Sequence, residues 1–257
     1  MSYLVLVRHG ESRWNLQNRF TGCVNVPLSA KGLEEAKLCA FIVKKISFDI
    51  AFTSELVRAQ ETLLVMLSQA DITGLFIDEK SGLKKWGKYT RFLETPELPI
   101  IRSCKLNERY YGKLQGLNKN SARKRFGEEQ VFRWRRGYKT TPPGAESLYD
   151  VYKRSVPYFK KKIISQLEKG KNVLVSAHGN SLRAIIKYIE DIGDEEIPFF
   201  ELATGKPVVY KFVHGRFMKL SDKEEFNRPT KFINPYEKVQ KKPINKQVKK
   251  KTSKKSK

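Results

Sequence analysis

Two runs of apolar and β-branched residues constrain this chain most. Tyr3-Leu4-Val5-Leu6-Val7 lies near the start and Asn172-Val173-Leu174-Val175-Ser176-Ala177 lies late, and each leads into a histidine followed at once by glycine, His9-Gly10 and His178-Gly179. Runs without polar alternation are expected of strands buried on both faces of a parallel sheet. Ligands of such sheets bind beyond the carboxyl ends of the strands. Two strands that both end in His-Gly therefore bring two imidazoles to the same rim. The glycines read as sharp turns that also let a ligand come close.

The segments between the runs are helical. Ser29 caps a helix through about Lys45, with Leu33, Ala36, Leu38, Ala40, Phe41 and Ile42 on its apolar face. Thr53 or Ser54 caps another through about Leu67. Glu146 to Leu167 reads as one long helix kinked at Pro157. Asn180 to Ile189 follows the second His-Gly as a short helix. Val208 to Val213 and Arg216 to Leu220, joined at His214-Gly215, form a terminal hairpin. The alternation predicts an α/β fold, a mostly parallel central sheet flanked by helices on both faces. Glu79 to Pro99 has no clear period and reads as a long functional loop.

Charge separates body from tail. The chain carries 51 Lys+Arg against 27 Asp+Glu, a net +24, and ten of those lysines lie between Lys238 and Lys257, where no acidic residue occurs. That divides the chain into a catalytic domain over 1–222 and a Lys-rich, disordered tail over 223–257. The tail is a solvated extension that can also bind polyanions weakly, nucleic acid among them. It lacks the interleaved aromatics of a specific nucleic-acid reader, Tyr236 being its last ring.

Three cysteines, Cys23, Cys39 and Cys104, make no disulfide framework. The apolar run at the start is too short for a secretory core or a membrane span. The reading is a reduced, soluble, cytoplasmic protein. The histidines have no acidic or thiol companions at ligand spacing, so no metal is expected, and His214 belongs to a turn. A metal-free imidazole beside Arg8, with Asn180 and Arg183 at a helix N-terminus that favours anions, points to a neutral nucleophile attacking phosphorus.

Longer motifs sharpen this. They are Leu4 to Glu11 (LVLVRHGE), Trp14-Asn15, Asn18 to Gly22, Thr53-Ser54 with Arg58-Ala59, Leu106 to Gly112 (LNERYYG), Leu114 to Lys119 (LQGLNK), Trp134-Arg135-Arg136, Ala177 to Arg183 and Thr204 to Pro207. Over about residues 3 to 213 the chain resembles the cofactor-dependent phosphoglycerate mutases of glycolysis and gluconeogenesis, within the histidine phosphatase superfamily. The resemblance implies interconversion of 3- and 2-phosphoglycerate through a phosphohistidine primed by 2,3-bisphosphoglycerate. It makes His9 the nucleophile, Glu108 the general acid and base, and His178 a stabiliser of the transferring group. Arg8, Arg58, Asn15, Gly179 and Asn180 surround that group. Arg109, Tyr111, Lys119, Arg135 and Arg136 bind the substrate's other anionic groups, and Thr21 and Gly22 line the pocket. The resemblance further implies that Lys223 to Tyr236 can close over the site as a lid.

The chain departs from the family at three places. It is longer between Arg58 and Leu106, much shorter between Pro143 and Glu146 as in a short-form subgroup, and has Cys23 where the family commonly has tryptophan. Oligomeric state is therefore not carried over. The alternative reactions are hydrolysis of small phosphomonoesters by the same phosphohistidine chemistry, or a mutase with added anion binding through the tail.

Overall fold

The computed structural model describes residues 1–77 and 96–220. The tail, the proposed lid and Glu79 to Thr95 of the irregular loop lie outside them. The strands are β1 (Ser2–Arg8), β2 (Ile50–Thr53), β3 (Thr73–Phe76), β4 (Glu97–Arg102), β5 (Val173–Ala177), β6 (Pro207–Val213) and β7 (Arg216–Lys219). They form one seven-stranded sheet in the order β3-β4-β2-β5-β1-β6-β7. The first five in that order run parallel, while β6 is antiparallel to β1 and β7 to β6. The expected α/β architecture is thus present. Glu97, Leu98 and Pro99, assigned above to the irregular loop, instead open β4.

The opening run is buried on both faces, as its composition requires: Leu4, Val5, Leu6 and Val7 are all sealed from solvent. Alternation along β1 and β5 sends Leu4, Leu6, Val173 and Val175 into one core, shared with Phe159, Ile163, Leu182 and Ile185 from the helices on that face. On the other face the Ser176 hydroxyl donates to the carbonyl of Ala59 in helix α3 (Val57–Ser68) at 2.8 Å.

Helix α1 is the short Arg13–Leu16, and α2 (Ala30–Lys45) starts where expected, with the Ser29 hydroxyl accepting from the Gly32 amide. Helix α3 starts later than expected. Thr53 is the last residue of β2, and Leu56 is the N-cap without a side-chain bond. Helices α4 (Lys119–Phe126) and α5 (Glu128–Arg136) escaped the sequence reading because each buries a single residue, Ala122 and Val131. A helix that polar gives almost no periodic signal.

The long helix predicted over Glu146 to Leu167 is three pieces. Helix α6 (Leu148–Tyr158) is capped by Ser147, a π-helical turn follows over Phe159–Ile164, and α7 (Ser165–Glu168) closes it. Pro157 lacks an amide hydrogen and crowds the carbonyl four residues back; the ladder widens after it rather than ending. Helix α8 (Gly179–Glu190) leaves the site directly from His178. The hairpin turn holds His214 and Gly215 at φ 49° and 76°, as a two-residue turn of left-handed residues demands, and leaves His214 structural.

Candidate active site

Strand register builds the centre. Arg8 of β1 lies level with Ala177 of β5, and the His9 amide donates to the Ala177 carbonyl at 3.0 Å. The next residue on each strand is histidine, so the two imidazoles meet with ring centroids 4.9 Å apart. Glycine after His9 serves contact rather than a turn. A Cβ on Gly10 would stand 2.3 Å from the Gly32 carbonyl oxygen, so the loop can press against the first turn of α2 only without it.

The protonation of His9 follows from its partners. Nδ1 lies 2.6 Å from the Gly10 carbonyl, which can only accept, so Nδ1 carries the hydrogen and Nε2 keeps its lone pair. The Arg58 Nε–H donates to that lone pair at 3.3 Å. Burial, then the neighbouring Arg58 and Arg8 charges, hold the His9 pKa well below the usual imidazole range. The result is a neutral, oriented imidazole with its lone pair on Nε2. Arg58 is fixed in turn by donating to the Val24 carbonyl at 2.9 Å and the Gly22 carbonyl at 2.8 Å.

His178 is fully buried against His9 and does not line the cleft itself. Its Nε2 is 2.7 Å from the Ser54 hydroxyl, whose oxygen already accepts from the Leu56 amide. The ring's other nitrogen, Nδ1, is a buried atom with no partner. Burial first, then Arg58 and His9, keep this ring neutral as well. Ser54 was visible in the sequence as a helix cap and within the Thr53-Ser54 motif, without a role of its own.

Glu108 sits at the head of α8. Its Oε1 accepts from the Arg109 amide at 2.7 Å, the Asn180 amide at 3.2 Å and the Asn180 side chain at 2.8 Å. Oε2 takes none of these donors. Arg183, one turn along α8, donates to the Asn180 Oδ1 at 3.2 Å and so turns the Asn180 amide nitrogen towards Glu108. Asn15 is set by a capping box in which its Oδ1 accepts from the Ser12 amide and hydroxyl.

One cleft is lined by Arg8, His9, Asn15, Thr21, Gly22, Arg58, Glu108, Tyr111, Lys119, Arg135, Arg136, Gly179 and Asn180, together with Arg19, Phe20, Arg183, Glu201 and Leu202, which sequence reading did not place there. Arg183 was noted at the head of a helix without a site role; Glu201 gave no signal at all.

Arg109, which the resemblance sets on the substrate, does not line that cleft. Its guanidinium lies over the Tyr111 ring at 4.6 Å, donates to the Tyr111 hydroxyl at 3.1 Å, and donates to the Trp134 and Arg135 carbonyls at 2.8 and 2.9 Å. Those carbonyls end α5. Through Nη2, Arg109 therefore ties the helix bearing Arg135 and Arg136 to the segment bearing Glu108, while its Nε and Nη1 are buried without a partner.

Crowding of cations lowers Lys119 to about 8, through burial first and then Arg135, Arg8 and Arg123. Burial likewise brings Arg58 and Arg183 down to about 10. Cys23 packs in the wall, its thiol donating to the Glu108 carbonyl at 3.2 Å, and burial pushes it up to about 11, so it stays a thiol.

Buried polar atoms without partners rarely occur by chance. Here Arg8 Nε, Thr21 Oγ1, Arg109 Nε and Nη1, His178 Nδ1 and Arg183 Nε are such atoms. The arginine nitrogens and the Thr21 hydroxyl can donate, as can His178 Nδ1 when it carries the ring hydrogen. Together with the surplus of guanidinium groups they fit a small ligand carrying several negative charges, as 2,3-bisphosphoglycerate does. Among the described residues no three His, Cys, Asp or Glu side chains gather as metal ligands do.

Comparison with known proteins agrees with this geometry. The pattern of the histidine phosphatase superfamily (branch 1) matches residues 4–88 and 89–222. A 2,3-bisphosphoglycerate-dependent phosphoglycerate mutase of Methanosarcina acetivorans is 46% identical over 235 residues, 85% of this chain and 95% of its own. One from Methanococcus vannielii is 48% identical over 212 residues, 82% of this chain and 90% of its own. Among solved structures, a mycobacterial glucosyl-3-phosphoglycerate phosphatase superposes with a TM-score of 0.66 at 20% identity, over 85% of this chain and 97% of that one. At that identity the likeness speaks for the fold.

Proposed function

Because the chain belongs to the histidine phosphatase superfamily, we propose that the residues of this cleft interconvert 3-phosphoglycerate and 2-phosphoglycerate, a step of glycolysis and gluconeogenesis, as a 2,3-bisphosphoglycerate-dependent phosphoglycerate mutase. The observation that carries the reading is the state of His9. Its Nδ1–H is held by the Gly10 carbonyl, its Nε2 lone pair meets only the Arg58 donor, and Glu108 shares the same cation-lined cleft.

The chemistry then runs on this chain's own atoms. Bound 2,3-bisphosphoglycerate supplies the phosphoryl group that primes His9. With that group on Nε2, Arg58 turns its Nε–H from the ring to a phosphoryl oxygen, joined by Arg8, Asn15 and the Gly179–Asn180 amides. Glu108 takes the proton of the incoming substrate hydroxyl as the bond from Nε2 to phosphorus breaks. It returns that proton to the leaving oxygen when Nε2 takes back the phosphoryl group from the neighbouring carbon. His178, with its ring hydrogen on Nδ1, offers it to the charge that builds between these events. Tyr111, Lys119, Arg135 and Arg136 hold the groups that do not react. Each charge-assisted contact contributes only about 1.5–3 kcal/mol, so several must converge.

The test is conversion of 3-phosphoglycerate with and without catalytic bisphosphate, scored alongside phosphate release. Isomerisation that needs the bisphosphate, survives EDTA and far exceeds hydrolysis is expected. Dominant phosphate release would assign the cleft to a phosphatase. Three free cysteines support placing the reaction in the reducing cytoplasm. The ten lysines beyond Glu237 support weak, salt-sensitive binding of polyanions, which a chain ending at Asn234 should lose.

A further inference from the structure

Two carboxylates line the cleft, and only Glu108 has work in the reaction. The other, Glu201, lies on the segment leading to β6 and forms an ion pair with Arg136 at the cleft mouth. The next residue, Leu202, accepts from Arg8 through its carbonyl at 2.6 Å, so this segment is anchored to the floor of the site. Arg136 keeps its own place by other means. It closes α5, whose terminal carbonyls are held by Arg109, and its carbonyl faces the Arg183 guanidinium at 3.5 Å. The backbone that carries Arg136 is thus held without Glu201, whose side chain is largely exposed, 73%, against 22% for its partner.

A negative group at the mouth of an anion cleft opposes ligand entry unless it moves. We propose that Glu201 is a built-in competitor. It occupies Arg136 in the free protein and yields it to the anionic group of an incoming ligand. The substrate class is the one assigned under the proposed function, and the inference rests on that reading only for the ligand's name. The exchange leaves the number of charge pairs on Arg136 unchanged, so it limits affinity and hastens release without altering the reacting centre. For an enzyme that must hold its bisphosphate long enough to reorient it and still let product go, such moderation sets the balance between retention and release.

Glu201→Gln keeps the shape and removes the charge. Calorimetric titration of inorganic phosphate and of 2,3-bisphosphoglycerate at low ionic strength should show both bound about threefold more tightly than by the parent chain, within the range an exposed ion pair can give. The gain should shrink in 0.5 M salt, where screening is near its limit (a Debye length of about 4 Å). In an Arg136→Met background the same change should have little effect, because the competed group is gone. Unchanged or weaker binding by Glu201→Gln would overturn the proposal, the latter by showing that Glu201 positions Arg136. An equal gain with and without Arg136 would overturn it as well. Phosphate binding is read without turnover, so this outcome is separate from whether the cleft isomerises phosphoglycerate.

Discussion

The reacting centre and the clamp that faces it are built by different means. His9, His178 and Arg58 stand at strand ends or one turn into a helix packed on the sheet, all nearly sealed from solvent, and each is held by hydrogen bonds to backbone or to a buried hydroxyl. Lys119, Arg135 and Arg136 sit on α4 and α5, two short polar helices outside the sheet, where Arg136 forms an ion pair that water can reach. Parallel register places the first set to within the tolerance of a core. Of the second set, Arg135 and Arg136 sit on a helix whose last carbonyls are held by the buried guanidinium of Arg109. Chemistry thus rests on the rigid part of the fold, while recognition rests on a part that can adjust.

This contrast can be broken in a definite order. Glu108→Gln keeps the hydrogen bonds from Asn180 approximately in place yet can neither take nor return a proton; kcat should fall about 10³-fold with little change in KM, read in the steady-state isomerisation assay. A loss under tenfold would remove Glu108 from the proton transfer. Arg109→Met comes next. If Arg109 acts by tethering α5, KM should rise and kcat fall together, about 10- to 100-fold in kcat/KM, while phosphate transfer to His9 from excess bisphosphate persists. Loss of phosphotransfer with KM unchanged would return Arg109 to the reacting centre.

The smallest effect is one of pH. With its pKa lowered to about 8, Lys119 is charged below that value and neutral above it, so anion affinity in the free protein should be full below pH 7 and decline as pH rises through 8. Lys119→Arg should keep binding level to about pH 9, a difference of a few fold by calorimetry. The same decline in both proteins would assign the titration elsewhere.

The same contrast explains what could be read without coordinates. Strands β1 and β5, and therefore the meeting of His9 with His178, were legible because a run buried on both faces announces itself in composition. The hairpin of β6 and β7 and the start of α2 at Ser29 were legible for equally local reasons. Strand β2 is only Ile50–Thr53, too short to show a period, and β4 begins inside a stretch whose Pro99 argued for a loop. Thirteen of the fifteen residues assigned from motifs line one cleft, His178 backs it, and Arg109 lies behind Tyr111, since a motif records that an arginine is required and not which way it turns. Ser54 and Glu201 reach the site by tertiary contact with His178 and Arg136, partners 124 and 65 residues away, and no local pattern marks such pairs.

The central claim is that the Nε2 of His9 accepts and returns the phosphoryl group. Mixing the protein with 2,3-bisphosphoglycerate, quenching in alkali and locating the phosphate by mass spectrometry and phosphorus NMR tests it directly. Phosphate on Nε2 of His9, formed and discharged at least as fast as turnover and absent in His9→Ala, is the predicted result. Phosphate on another residue, or turnover with His9 unmodified, would contradict the account.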